Sequence, residues 1–357
     1  MESLILKEEA LELLKQIISI PSLSTAEDNV AQHLNDFFEN KNINCNRKNN
    51  NIWVKNKFIK DNKPTILLNS HIDTVKPNNG YTNNPFQAFV KDGKLYGLGS
   101  NDAGGALVSL IASFLYFYQQ DNLNYNFIFA ATAEEEISGT NGIKSILPEL
   151  GLIDFAIVGE PTEMNLAIAE RGLLVLDCIA HGTASHAAHF NHDNPILHAL
   201  HDIQWVSEYQ FAKNSDLLGP VKMTVTIING GTQHNVIPAT CNFTIDVRSN
   251  EFYSNQEIFN FIKQHLKSEV KPRSLHLNAS AISEKHCFVN AGKELGRTIY
   301  GSPTTSDKAL MNFDAVKIGP GDSTRSHSSD EFIYIDEIYN GIELYIKMLS
   351  KIIYNGQ

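Results

Sequence analysis

The stretch Phe127-Ile-Phe-Ala-Ala-Thr-Ala-Glu-Glu-Glu-Ile-Ser-Gly139 runs an apolar, strand-like segment straight into three consecutive carboxylates, Glu134, Glu135 and Glu136. The apolar run predicts a buried strand over 126–132, so the charge gathered at its end needs an explanation. An ordinary one exists: acidic residues at the start of a helix favour the positive end of its dipole. The rest of the chain bears on the choice, because four other segments also set a potential ligand at the end of a strand or the start of a helix.

Around this strand the first third alternates helix and strand patterns. Helices are predicted near 6–18 and 27–40, and strands near 51–58 and 64–70. A long loop with Pro77, Gly80 and Pro85 follows, then a short hairpin across Lys91-Asp-Gly-Lys94, a helix over 103–118 and a strand over 153–158. Such alternation predicts an α/β sheet, whose chemistry collects at strand ends. From Gly172 the pattern becomes strand (173–181), helix (194–209), two strands (220–229 and 238–248) and helix (254–268), an inserted α+β domain. A helix near 287–300, a strand over 313–318, a polar loop over 319–330 and a helix over 336–352 close the chain. The expected division is 1–171 with 280–357 as one domain and 172–279 as the other.

Composition narrows the function. With 357 residues and 42% hydrophobic content the chain can build two domains. A formal charge of −11 with no Lys or Arg cluster argues against nucleic acid. No apolar run approaches the about 18 residues of a membrane span, and the amphipathic start lacks a cationic leader, so a cytoplasmic location is expected. Cys45, Cys178, Cys241 and Cys287 show no CxxC spacing and are expected to be buried, reduced thiols.

In Thr65-Ile-Leu-Leu-Asn-Ser-His71-Ile-Asp73, the two polar residues lie two apart and share a strand face. They suit a metal-ligating histidine steadied by a carboxylate, or an ordinary polar strand end. In Tyr96-Gly-Leu-Gly-Ser-Asn-Asp102-Ala-Gly-Gly the glycines invite a dinucleotide reading, but the spacing is not G-x-G-x-x-G, and Asp102 stands where phosphate would bind. There the carboxylate suits a helix cap or a metal bridge. Glu160 ends the run Ala156-Ile-Val-Gly-Glu160-Pro-Thr, and His327 lies in the loop Gly319-Pro-Gly-Asp-Ser-Thr-Arg325-Ser-His327. Two histidines and several carboxylates without a thiol suit Zn²⁺, or a similar divalent ion such as Co²⁺ or Mn²⁺. One spare carboxylate would then serve as base.

The motifs SHIDTV, GLGSNDAGGA, ATAEEEISG, GEPT, GTASHAA, NVIPA and GPGDSTRSH, in this order across nearly the whole chain, closely resemble those of the di-zinc aminoacylase and exopeptidase family. That family includes acetylornithine deacetylase, succinyl-diaminopimelate desuccinylase, aminoacylase-1 and carboxypeptidase G. The resemblance, nearest to the acetylornithine deacetylase branch, implies a zinc-exopeptidase-like catalytic domain with a mixed central sheet flanked by helices. It also implies a ferredoxin-like dimerisation or lid domain inserted into it. It makes His71, Asp102 and Glu160 the ligands of one metal and Asp102, Glu136 and His327 those of the other. Asp73 would orient His71, and Glu135 would be the general base. The family's acidic trio is Asp-Glu-Glu, whereas this chain has Glu134 first, at a position without an assigned role.

For the inserted domain, the resemblance implies that His186 stabilises the oxyanion in a partner subunit's site, so that the working unit is a homodimer. Asn235 and Arg248 match substrate-contacting residues, although Arg248 also suits a surface ion pair. Arg325, beside the metal histidine, points to a small anionic or ornithine-like substrate. The implied activity is hydrolysis of an N-acyl amino acid, foremost N-acetylornithine or N-succinylornithine in arginine biosynthesis. A di- or tripeptidase is the alternative. A non-enzymatic metal-binding protein should have lost a ligand or the base, and none is missing.

Overall fold

The computed structural model describes residues 2–354. The chain forms two compact units. The first comprises the residues up to Ile168, Ile282–Tyr300 and those from Ser306 onward; the second comprises Ala169–Ala281 and Gly301–Thr305. Gly301–Thr305 had been expected to go with the first.

In the first unit the strands lie in the order Asn46–Lys48, Asn51–Lys55, Asn126–Thr132, Thr65–His71, Phe155–Val158, Asp314–Lys317 and Leu166–Glu170. The four from Asn126–Thr132 to Asp314–Lys317 are parallel, and their outer neighbours Asn51–Lys55 and Leu166–Glu170 are antiparallel. Thr65–His71 and Asn126–Thr132 are buried at every position, because helices cover both faces. Trp53, Leu67, Ile128, Ala130, Ala156 and Ala315 form one face of the core with Ile143, Ile146 and Leu150 of the helix Ile143–Leu150. Helix Gly105–Tyr118 packs on the sheet and against helices Glu2–Ile18 and Ile335–Tyr354. Phe117 stacks on Phe127 at 5.4 Å, and Phe114 meets Phe38 and Phe129.

Register fixes the business edge. His71 pairs with Thr132 and Asn69 with Val158, so His71, the turn Ala133–Glu136 and Gly159–Glu160 all leave the same edge of the sheet. The loop after Asp314–Lys317 leaves it too, since Lys317 pairs with Val158. This is the carboxyl-terminal edge of parallel strands, where α/β proteins hold their ligands.

The glycines of the Gly97–Gly105 segment answer to packing. A Cβ on Gly104 would lie 2.4 Å from the Gly99 carbonyl oxygen, and one on Gly105 2.3 Å from Ile333. Gly99 has φ 74. Close approach and a left-handed turn, rather than a phosphate, require them.

The second unit has the order strand–helix–strand–strand–helix–strand: Gly172–His181, Pro195–Glu208, Lys222–Gly230, Thr240–Ser249, Asn255–His265 and Glu269–Pro272. The antiparallel sheet runs Lys222–Gly230, Thr240–Ser249, Gly172–His181, Glu269–Pro272, which is the ferredoxin-like arrangement. Alternate residues Leu174, Leu176, Cys178 and Ala180 are buried with Phe243, Ile245 and Val247 against Ala199, Val206, Ile258 and Ile262 of the helices. Asn194 caps one helix and a Ser254–Glu257 capping box starts the other.

Several expectations change. The helix from Cys287 ends at Glu294, because Gly296 turns left-handed at φ 77 and Arg297 N–H returns to the Gly292 carbonyl. Ile299–Ser302 then forms a strand. Leu166–Glu170, too short for a pattern of its own, is also a strand. All four cysteines are free thiols, with Cys178 and Cys241 buried, Cys45 intermediate and Cys287 exposed, so burial holds for only two. No helix among the described residues is long and apolar enough to cross a membrane.

Candidate metal centre

Four strand ends and one helix start deliver the site of the first unit. His71 is the last residue of its strand, buried to 2% exposure. Its Nδ1 lies 2.9 Å from the Asp73 carbonyl oxygen, and its Nε2 3.3 Å from Asp102 Oδ1 and 3.8 Å from Glu160 Oε1. Asp102 turns its other oxygen to His327, whose Nε2 lies 3.6 Å from Oδ2. His327 Nε2 is also 3.0 Å from Glu136 Oε2. Asp102 thus faces one imidazole with each oxygen, the disposition a bridging carboxylate needs.

Ligand atoms of His71, Asp102 and Glu136 lie within 4.8 Å of one another, as do those of His71, Glu135 and Glu160. These triads differ from the two ligand sets the resemblance implies, and His71 rather than Asp102 is common to both. What they share is one cup holding all four carboxylates.

Electrostatics show what the cup suits. Burial, then the charges of Glu160, Asp307 and Glu136, hold the Glu135 carboxyl well above the usual range, against the pull of His71. Burial and Asp102 push Glu160 up to about 8 despite His71. For Asp102 burial acts upward, but the bond and charge of His71, the bond to Ser326 and the charge of His327 together outweigh it and the carboxyl stays low. Burial would lower His71, yet Asp102 and Asp73 hold it well above its ordinary value; the bond to Glu136 takes His327 up to about 9. Crowded carboxylates that retain protons when nothing else neutralises them form a donor set suited to divalent cations. Oxygen and imidazole donors without sulfur fit zinc or cobalt.

The backbone of the site is held by a further group of carboxylates. Asp73, expected to orient His71 through its side chain, does so chiefly through its carbonyl; its Oδ1 is 3.5 Å from the ring. That side chain accepts instead from the N–H groups of Glu135 at 3.0 Å and Glu136 at 3.1 Å and from Ser24 Oγ at 2.7 Å. Burial would raise Asp73, but these bonds and His71 lower it. Glu134 folds back over Gly139 and accepts from Asn141 N and Nδ2 at 3.0 and 2.9 Å. It closes the turn, with both carboxylate oxygens taken by Asn141. Glu331, 1% exposed, accepts from the N–H groups of Gly99, Asn101 and Asp102.

The GEPT and GPGD segments are zipped together. Thr162 and Met164 N–H bond the Gly319 carbonyl, and Glu163 N–H that of Gly321. A Cβ on Gly319 would sit 2.5 Å from the Glu160 carbonyl oxygen, so only glycine permits this approach.

Sequence reading missed Glu331, Asp307 and Ser24. Buried Asp307 accepts from Thr132 Oγ1 at 2.7 Å. Nothing local marks these residues, since each acts on a segment distant in the chain. The guanidinium of Arg325, expected to meet substrate, is bidentate to Glu337 at 2.7 and 3.0 Å, over the rings of Phe332 and Tyr334.

In the second unit, Arg248 is likewise bidentate, to Asp246 at 2.8 and 3.0 Å, which is the ion-pair reading. His186 and Asn235 are neighbours: His186 pairs with Val236, and Ala187 N–H bonds the Asn235 carbonyl. Exposed His186 accepts the Ala188 N–H at Nδ1, which fixes its proton on Nε2 as a donor.

Comparisons with known proteins place the chain in a family. The profile described as peptidase family M20/M25/M40 matches residues 67–351. A succinyl-diaminopimelate desuccinylase from Wolbachia pipientis is 23% identical, with 98% of this chain and 94% of that one covered. A [LysW]-lysine/[LysW]-ornithine hydrolase from Sulfurisphaera tokodaii is 27% identical, covering 96% and 95%. The crystal structure of a dinuclear metal-binding peptidase of the M20 family from Bacillus subtilis superposes with a TM-score of 0.73 at 16% identity, over 98% of this chain and 99% of that one.

Proposed function

The chain belongs to peptidase family M20/M25/M40, and from that premise we propose that it hydrolyses the amide bond of a small N-acylated diamino acid. N-acetylornithine and N-succinylornithine are the leading candidates, with a place in arginine biosynthesis. As a family member it is a metallo-amidohydrolase acting on linear amides. The observation that carries the reading is Asp102, with one oxygen 3.3 Å from His71 and the other 3.6 Å from His327, beside Glu135. The diamino-acid part rests on the two named relatives, one a desuccinylase of diaminopimelate and the other a hydrolase of lysine and ornithine conjugates.

In this reading His71, Asp102, Glu136, Glu160 and His327 hold two divalent ions, zinc foremost. Such ions, when bound, lower the pKa of water toward about 7 and polarise a carbonyl. Glu135 takes the proton of the attacking water and returns it to the departing amine, and its raised affinity for protons suits both steps. Asp73 holds the Glu135–Glu136 backbone so that this proton is exchanged in one place. In the homodimer His186 offers Nε2–H to the oxyanion in the partner subunit's site, with Asn235 beside it.

The homodimer is proposed to use the second unit. Its edge strand exposes Ile227 and Ile228, each 48% exposed, and a neighbouring helix exposes Leu197 and Leu200. Ile228→Asp should convert a dimer to a monomer in sedimentation.

The deciding assay offers zinc-loaded protein N-acetylornithine, N-succinylornithine, N-acetylcitrulline, N-acetyllysine, N-succinyl-diaminopimelate and dipeptides, and reads free amine. Release from the acylated diamino acids is expected. Turnover of dipeptides alone selects the di- or tripeptidase reading. Chelation should abolish activity, and zinc or cobalt should restore it.

A further inference from the structure

The turn that presents Asp102 cannot hold itself. Asp102 has φ −118 and ψ 97, outside helical conformation, and the turn precedes the first residue of the helix Gly105–Tyr118, so the N–H groups of Gly99, Asn101 and Asp102 have no helical carbonyls to meet. One buried side chain takes all three. Glu331 Oε1 accepts from Asn101 at 2.8 Å and Asp102 at 2.9 Å, and Oε2 from Gly99 at 3.1 Å. Its own carbonyl accepts from Gly97 N–H at 3.0 Å.

Glu331 is itself anchored at both sides. It precedes the strand Phe332–Tyr334, which pairs with Lys94–Tyr96, and it follows His327 by four residues in one loop. Asn101 Nδ2 also reaches the Asp322 carbonyl at 3.0 Å, so the two loops are joined on a second side.

We propose that Glu331 is a positioning residue for the metal centre: it fixes the Asp102 backbone and so locks Asp102 and His327 into one rigid pair. The proposal rests on the metal reading above. A carboxylate is specifically required, because three donors converge on two acceptor oxygens. In Glu331→Gln the amide oxygen can serve one side of the cluster, while the NH₂ faces a backbone donor. Glu331→Asp keeps both oxygens but retracts them.

The test is titration of chelator-treated protein with Zn²⁺ by calorimetry, with the visible spectrum of the Co²⁺-loaded form and the thermal unfolding of the metal-free form. Wild type, Glu331→Gln, Glu331→Asp and Glu337→Gln are compared. Glu337 is the control: it braces the same loop through Arg325 and touches no ligand backbone. Glu331→Gln is expected to weaken metal binding about 10–100-fold and to alter the cobalt spectrum, as loss of a group supporting a ligand does. Glu331→Asp should recover part of the loss, and Glu337→Gln should lower the unfolding temperature with affinity and spectrum unchanged. Wild-type affinity and spectrum in Glu331→Gln, or an equal loss in Glu337→Gln, overturns the proposal. If Glu331→Gln does not fold, Glu331→Asp decides by the same criteria: weakened binding with an altered spectrum supports the proposal, and unchanged binding overturns it. Failure of wild type to bind any divalent ion would instead sink the metal reading.

Discussion

In the turn Ala133–Glu136, the N–H groups of Glu135 and Glu136 are taken by Asp73, two residues past the end of the adjacent strand. In the turn that carries Asp102, the N–H groups of Gly99, Asn101 and Asp102 are taken by Glu331, from the far end of the chain. Both turns carry carboxylates toward the same cup, and both are held by a buried carboxylate that points at backbone. The site therefore needs two populations of acid groups, chemically alike and opposite in job. Of those facing the cup, Glu135 and Glu160 are pushed up by burial and by neighbouring carboxylates; of those facing N–H groups, Asp73 is held low by its donors and His71, while burial and Asp102 push Glu331 up to about 7.

Substitutions that keep shape and remove charge separate the two populations. Glu135→Gln should lower turnover by about 10²–10⁴-fold with metal content unchanged, read by steady-state kinetics alongside metal analysis. Metal loss in that variant would move Glu135 into the ligand group. Asp73→Asn should cost about 10–100-fold in metal affinity or activity, since one face of its amide opposes the Glu135 and Glu136 donors. An unaffected Asp73→Asn would erase the parallel between the two turns.

Acidity sharpens the comparison further. With Glu160 at about 8 and His327 at about 9 in the metal-free chain, both are protonated at neutral pH. Binding of a divalent ion must expel those protons, so apparent affinity should rise between about pH 6 and about pH 9 and weaken on acidification. Calorimetry in buffers of different ionisation enthalpy would count the protons released. The smallest effect belongs to Glu134, which serves its own turn. Glu134→Ala should cost about 1–3 kcal/mol in denaturant unfolding, by orphaning the Asn141 donors, with metal affinity intact.

Much of this was legible from residues alone. The apolar strand over 126–132, the strand–helix alternation and the α+β pattern of the second unit follow from periodicity, which is local, whereas its closing strand Glu269–Pro272 had no pattern of its own and the ferredoxin-like arrangement was expected only from the resemblance. The residues that the structure gathers into the cup, His71, Asp102, Glu135, Glu136, Glu160 and His327, had each stood out at a strand end or loop. Arg325 and Arg248 stood out equally, and their pairing with Glu337 and Asp246 was not legible, because a guanidinium two or twelve residues from a carboxylate gives no sign of whether it will find it.

The sequence by itself determined which segments would be buried and where ligands would emerge from them, since both depend on side-chain period along a short stretch. Only the tertiary structure decided which acids face the cup and which face backbone. Asp73, Glu134 and Glu331 are the same chemical group as Asp102, Glu136 and Glu160. Their roles depend on whether converging N–H donors or other carboxylates surround them, and that is set by loops brought together from opposite ends of the chain.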